Sequence, residues 1–302
     1  MMIDLAETTT DRIHEAIRQA RQRLGGPASG MVLTLVIVTD EAAQYDAVRS
    51  ASEAAREHPM RVLAVITRRP EASSRLDAEI RVGESGPGEV VLLRMYGALG
   101  EHADSVVTPL LMPDTPVVTW WPGTPPDIPS SRPLGALAQR RITDAAAAGA
   151  PHECLASLAS HYKPGDTDLS WTRATPWRSL LAATLDQPHG AIRGGRVEAE
   201  RGNPSAELIA SWLSVRLGVP FENRVSGGPG VTAVIFDTSD GEMTLTRPDG
   251  RLALLRRLDP DEVYAETIAP FVPAPAQVKP NGGTSRKRAT TSADTSRKDK
   301  AR

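Results

Sequence analysis

Apolar positions recur at three- and four-residue intervals in TDRIHEAIRQARQRL, residues 10 to 24, at Ile13, Ala16, Ile17, Ala20 and Leu24. That spacing puts them on one stripe of an α-helix, with a threonine at its start and two glycines to stop it. The pattern then changes. MVLTLVIV (31–38) is a continuous apolar run and predicts a buried strand, and the stretch from Asp40 to His58 returns to helical spacing. RVLAVIT (61–67) is a second buried strand. Strand, helix and strand in that order form a βαβ unit, which requires parallel pairing with helices laid over the sheet. Residues 76–97 add two strands around a Gly/Pro turn, the pattern of a hairpin joined to the same sheet. A helical stretch around 99–112 and the strand TPVVTWW (115–121) complete an α/β domain with a mixed, largely parallel sheet.

From 133 to 185 the pattern is mostly helical, interrupted by RRITDAA (140–146) and YKPGDTDLSW (162–171). In ATPWRSLLAATLD, Thr175 is placed to cap a helix, Pro176 suits its first turn, and Trp177, Leu180, Leu181, Thr184 and Leu185 follow helical spacing. Residues 203–218 repeat the formula, with Asn203 as cap, Pro204 after it and Gly218 at the end. Beyond lie the strands PFENRVS (220–226), VTAVIFDT (231–238) and a pair within 242–258 around a Pro-Asp-Gly turn. DPDEVYAETI (259–268) reads as a short helix. Consecutive strands on short turns predict an antiparallel meander with helices on one side, a smaller α+β domain. The chain loosens at QPHGAIRGG, so the expected organisation is an α/β domain with a helical extension (1–190), an α+β domain (191–270) and a disordered basic tail (271–302).

Composition agrees with packed cores, since 40% of the 302 residues are hydrophobic. The net charge of −2 conceals an asymmetry. Eight Lys and Arg from Lys279 onward against Asp294 and Asp299 give that stretch +6, which leaves −8 on the rest. An acidic body argues against nucleic acid as the main ligand, though the tail alone suits an acidic surface. No apolar run is long enough to span a bilayer, and the N-terminus lacks a basic segment followed by an apolar one, so the expected location is the cytoplasm, with no membrane partner. Cys154 is the only cysteine, which excludes an intramolecular disulfide and a multi-thiolate zinc site.

The sequence assigns no catalytic, cofactor-binding or metal-binding residue. The turn after the first buried strand, TDEAA, has no glycine to let a pyrophosphate approach the backbone, and the glycine clusters at 25–30 and 227–230 read as turns. The six histidines are scattered without ligand spacing, and no G-x-S-x-G elbow occurs. Asp166 and Asp168 have a spacing compatible with a metal or an acid/base pair, and one commoner still in turns. The tryptophans are more informative. Trp120 and Trp121 close a strand before a Pro-rich loop, and adjacent strand residues face opposite ways, so one ring can be core while its neighbour faces solvent or a cleft. Trp177 and Trp212 have core spacing. Trp171 sits in the segment before the helix with Asp168 and Arg173 beside it. Trp and Arg on a loop of a rigid scaffold suit a docking hot spot, and an Arg-to-Asp bridge bracing a helix start over packed indoles explains the same residues equally well.

TDLSWTRATPWRSLL, together with DTPVVTWWPG, PLGALAQRRITDA and the early EHPMRVLAV, resembles the OpcA family, the glucose-6-phosphate dehydrogenase assembly proteins of actinobacteria and cyanobacteria, over roughly residues 1 to 268. The resemblance implies a non-enzymatic protein without cofactor that binds glucose-6-phosphate dehydrogenase, promotes its active oligomer, raises its activity and so supports the oxidative pentose phosphate pathway and NADPH supply. Cyanobacterial members are linked to thioredoxin-type control through cysteines, and Cys154 alone cannot reproduce an internal dithiol switch. For docking, the expected surface joins Trp120 and Trp121 to Asp168, Trp171, Arg173 and Arg178. An alternative is a sugar-phosphate or nucleotide-binding enzyme or sensor in which Arg173, Arg178, Arg140 and Arg141 clamp phosphate. A third is nucleic-acid binding through the tail.

Overall fold

The computed structural model describes residues 1–24, 30–69, 71–83 and 88–247, and the strands Ala253–Leu258 and Val263–Ile268. The expected basic tail (271–302), the Pro-Asp-Gly turn and the Gly25–Gly26 stop lie outside the described residues.

The βαβ unit expected from the apolar runs forms the centre of an eight-stranded sheet. Its strands are β1 (Met2–Leu5), β2 (Leu33–Thr39), β3 (Met60–Arg68), β4 (Arg75–Val82), β5 (Glu89–Tyr96), β6 (Val117–Trp120), β7 (Arg140–Thr143) and β8 (Asp166–Asp168), in the spatial order β1-β4-β5-β3-β2-β6-β7-β8. From β5 to β8 all neighbours pair in parallel, while β4 runs antiparallel to both β5 and β1. Alternation along the strands divides the core in two. On one face α1 (Thr10–Leu24) buries Ile13, Ile17 and Ala20 against Val36, Leu63 and Leu93. On the other, α2 (Gln44–Glu57) buries Ala47, Val48, Ala51 and Ala55 against Ile37, Val62, Ala64 and Ile66. A charged pair is buried at the edge of this core: the Glu89 carboxylate, 2% exposed, receives hydrogen bonds from Arg61, which is 4% exposed, and from Arg21.

The chain then passes through Gly97–His102, α3 (Ala103–Val107) and Thr108–Leu110, a helical stretch shortened by Pro109, to β6. In the helical middle region, α4 (Pro133–Ala136), α5 (Pro151–Ser160), α6 (Leu169–Arg173) and α7 (Thr175–Leu185), the two interruptions are strands β7 and β8, which extend the sheet. β7 is tied in by Arg141, 7% exposed, whose guanidinium donates to Asp166 and to the carbonyls of Ala138 (2.8 Å) and Pro164 (2.7 Å). Thr175 does not cap α7, because α6 runs into α7 through the helical residue Ala174 and its hydroxyl instead accepts from Arg178 at 2.9 Å.

The second sheet contains β9 (Ile192–Ala199), β10 (Phe221–Val225), β11 (Val231–Thr238), β12 (Gly241–Thr246), β13 (Ala253–Leu258) and β14 (Val263–Ile268), ordered β10-β9-β11-β12-β13-β14. It is the expected antiparallel meander, with β10 added in parallel to β9 through the crossover helix α8 (Pro204–Leu217). Asn203 caps α8 by accepting from the Ala206 N–H at 3.1 Å, and Gly218 ends it with φ of 69° in the left-handed region. The short helix expected at 259–268 is corrected to strand β14. Val263, Tyr264, Thr267 and Ile268 are strand-forming types, and the open edge of β13 supplies the ladder that settles their conformation. Trp177 and Leu181 of α7, which precedes the expected boundary near 190, pack with Ile209 and Leu213 of α8 on Val197, Val234, Phe236 and Leu245.

Candidate functional site

Strands β6, β7 and β8 end together, because Trp120 lies opposite Ile142 and Thr143 opposite Asp168. Parallel pairing thereby carries Trp120, Trp121 and Asp168 to the carboxyl end of one sheet. Beyond this common end the residues separate. Trp121 is 5% exposed, under the loop that carries α4, and its backbone N–H donates to the Ile142 carbonyl at 3.0 Å. That loop is so close that a Cβ on Gly135 would stand 1.9 Å from the Pro129 carbonyl oxygen and 3.2 Å from the Trp121 ring. Trp120 packs on the opposite, α2 face, half-buried, and its buried indole Nε1 has no hydrogen-bond partner among the described residues.

The two aspartates hold local structure. Asp168 accepts from the Thr143 hydroxyl (2.8 Å), the Ala145 N–H (2.8 Å) and the Ser170 N–H (2.9 Å), so it caps α6 and joins it to β7. Asp166 accepts from Arg141 and from the Lys163 N–H (2.7 Å). This corrects the phosphate-clamp alternative for Arg141, whose donors are engaged by Asp166 and backbone carbonyls rather than offered to solvent. Arg173 does form a bridge, but to Asp144 and not to the neighbouring Asp168. The guanidinium grips Asp144 in a bidentate pair (2.7 and 2.5 Å), and this hydrogen bonding raises the pKa of Arg173.

Trp171 is half-buried at the start of α6, with the Arg178 guanidinium stacked on its ring 3.8 Å from the centroid. Its flank opens on a cleft of about 420 Å³ whose walls come from Leu155, Leu158 and Tyr162 of the α5 region, Leu208 of α8, and Asp168 and Thr143 of the strand ends. Tyr162 is 60% exposed at its mouth. The cleft is mainly apolar, and its two carboxylates, Asp166 and Asp168, already accept hydrogen bonds from the chain itself, so the arrangement suits an inserted apolar side chain better than acid/base chemistry. The α5 wall had escaped the sequence reading, although Leu155, Leu158, Ala159 and Tyr162 recur at helical spacing. Such a stripe ordinarily signals core, and only the fold shows that part of it stays open. Cys154 is on the same helix. Burial first, then the carboxylates of Asp168, Asp127 and Asp144, push its thiol above the ordinary value. Trp177, 5% exposed, and the half-buried Trp212 pack with the second core as their spacing requires.

Among the described residues no helix is long and apolar enough to cross a membrane. Residues 51–160 match the family described as glucose-6-phosphate dehydrogenase subunit N-terminal domain, and residues 164–255 match its C-terminal domain. The two matches meet beside β8, at the cleft. An OxPP cycle protein named OpcA from Synechocystis sp. is 28% identical over 138 residues, 43% of this chain and 29% of that protein. OpcA from Synechococcus elongatus is 29% identical over 194 residues, 60% of this chain and 42% of that protein. The matched region thus spans less than half the length of these curated relatives. Among solved structures, the 3-ketoreductase KijD10 from Actinomadura kijaniata aligns at a TM-score of 0.43 with 12% identity, covering 79% of this chain and 84% of that one. Levoglucosan dehydrogenase aligns at 0.44 with 9% identity, covering 79% and 80%. Likenesses this distant carry no argument about chemistry.

Proposed function

Because this chain belongs to the OpcA family, the glucose-6-phosphate dehydrogenase assembly proteins, we propose that it is a non-catalytic partner of glucose-6-phosphate dehydrogenase that promotes the active oligomer and raises its activity. The observation that supports this reading best is the cleft beside Trp171, a mainly apolar opening whose two carboxylates, Asp166 and Asp168, already accept hydrogen bonds from the chain itself. In this reading a side chain of the dehydrogenase enters the cleft against Leu155, Leu158 and the free edge of Trp171. The Arg178 stack holds the indole in place before docking, so little ordering entropy is lost on binding. Trp120 and Trp121 support the surface from within, as the strand end and the packed loop on which the site is built. Arg173 and Asp168 keep α6 in position rather than touching the partner.

Activation follows from linkage. A partner raises activity only if it binds the active dehydrogenase more tightly than the inactive one, and a tenfold shift requires about 1.4 kcal/mol of differential affinity. One buried tryptophan contact is of sufficient size. The test is dehydrogenase kinetics with and without this protein, with size-exclusion chromatography of the mixture. Lower KM or higher kcat with co-elution is the expected result, and Trp171→Ala should cut the apparent affinity of the complex by about tenfold or more while the protein remains folded. No complex and no kinetic change would overturn the reading. Unchanged activation by a folded Trp171→Ala protein would move the docking surface elsewhere.

A further inference from the structure

A second cavity, of about 360 Å³, lies at the carboxyl ends of the strands, between the segment after β5 and the loop after β6. Its position follows from the winding of the sheet. After β2 the chain leaves towards the α2 face and returns as β3 on one side. After β6 it leaves towards the opposite face, where Leu134 of α4 is buried, and returns as β7 on the other side. β2 and β6 are neighbours, so the two exits part above them and leave a crevice. In open α/β sheets this divergence point is where small ligands are bound, whatever the chemistry of the fold.

The lining has two zones. The floor is apolar, with Val38, Val65, Trp121 and Leu134. At the mouth stand Arg132, Glu101, Thr67 and Thr124, all exposed. None of these four side chains makes a hydrogen bond or ion pair among the described residues, in contrast to Arg141, Arg173 and the aspartates of the Trp171 cleft. The wall is also preformed. Five prolines punctuate the loop from Pro122 to Pro133, the Ser131 hydroxyl donates to the Ile128 carbonyl at 2.8 Å, and Gly135 packs against the Pro129 carbonyl. Arg132 therefore projects from a fixed base, and a ligand would lose little free energy to ordering the site.

We infer that this crevice binds a monophosphorylated sugar, with the phosphate on Arg132, ring hydroxyls donating to Glu101, and the apolar face of the ring towards Trp121. One cation selects an anionic group, the carboxylate lining the same crevice selects hydroxyl donors over a second anion, and the small volume with an indole in its floor suits a single sugar ring. A dinucleotide is disfavoured because the turn after β2 has no glycine to admit a pyrophosphate.

The test is thermal stabilisation and calorimetric titration of the full chain with glucose 6-phosphate, glucose and inorganic phosphate as separate probes. Because the dehydrogenase is absent, the outcome is independent of the docking proposal. The hexose phosphate should raise Tm well beyond either glucose or phosphate. Arg132→Gln should weaken it by about tenfold or more, and Glu101→Gln should weaken the hexose phosphate without altering the response to inorganic phosphate. Arg140→Gln, an exposed arginine outside the crevice, should change nothing. Absence of stabilisation by the hexose phosphate, binding that survives Arg132→Gln, or an equal response to inorganic phosphate alone would each overturn the assignment.

Discussion

Arg173 and Asp144 provide a direct test of whether an arginine beside the cleft serves the fold or the partner. Arg173 gives Asp144 two charge-assisted hydrogen bonds, while the Asp144 side chain is 10% exposed and also accepts from the Ala146 N–H at 3.2 Å. The two truncations should therefore be unequal. Arg173→Ala leaves a largely buried carboxylate with a single donor and should cost about 1–2 kcal/mol. Asp144→Ala loses the pair and the Ala146 N–H bond together and should cost about 2–3 kcal/mol. A fully buried pair would lose about 3–5 kcal/mol on breakage, but Arg173 is 48% exposed, so water screens it and the coupling between the two should be about 1 kcal/mol. Urea unfolding of the wild type, both single variants and the double variant yields that coupling through a double-mutant cycle. A coupling below about 0.3 kcal/mol would refute the bracing role and return Arg173 to the list of docking residues. Activation measurements on the same proteins supply a second check, since a brace lowers activation only as far as it loosens α6.

Two further outcomes follow from buried charge. Glu89→Ala leaves Arg61 unpaired at 4% exposure and should destabilise the protein by about 3–5 kcal/mol in chemical unfolding; combining it with Arg61→Met should recover part of that loss, and no recovery would show that the charge was not the cause. The Cys154 thiol, raised by burial and by Asp168, Asp127 and Asp144, should be alkylated more slowly than a free thiol at neutral pH, with a rate that climbs as pH passes above the ordinary thiol range. Alkylation at the free-thiol rate would mean that α5 opens readily.

Local pattern was sufficient for several elements that repeat one period, but not for β9, whose start reads as loosened chain in QPHGAIRGG although its eight residues form a strand between β10 and β11. The stripe on α1, the runs of β2 and β3, and the Asn203 cap with its Gly218 stop are all legible because a helix of four turns or a doubly buried strand repeats its own signal. β1 was missed, and β7 and β8 read only as interruptions between helices. Each has three or four residues, too few to show a period, and is a strand because a neighbour offers a ladder. β14 shows the same limit from the other side, where an acidic, Pro-led segment resembled a helix start until the edge of β13 claimed it.

The candidate site divides along that line. The sequence by itself determined that Trp171, Arg173 and Arg178 stand together around a helix start, that Trp177 belongs to a core, and that the turn after β2 cannot cradle a pyrophosphate, because these depend on residues within a turn or two of one another. Only the tertiary structure decided which charges meet. Arg173 pairs with an aspartate 29 residues away and not with the one five residues away, and Arg141 reaches Asp166 across 25 residues. It alone also decided that Trp120 and Trp121 go to opposite faces, and that Arg132 and Glu101 share the mouth of one crevice without other partners among the described residues. Spacing along the chain governs local geometry, but the partner of a side chain is set by strand order and by the face to which each connection is wound, and both result from pairings between distant segments.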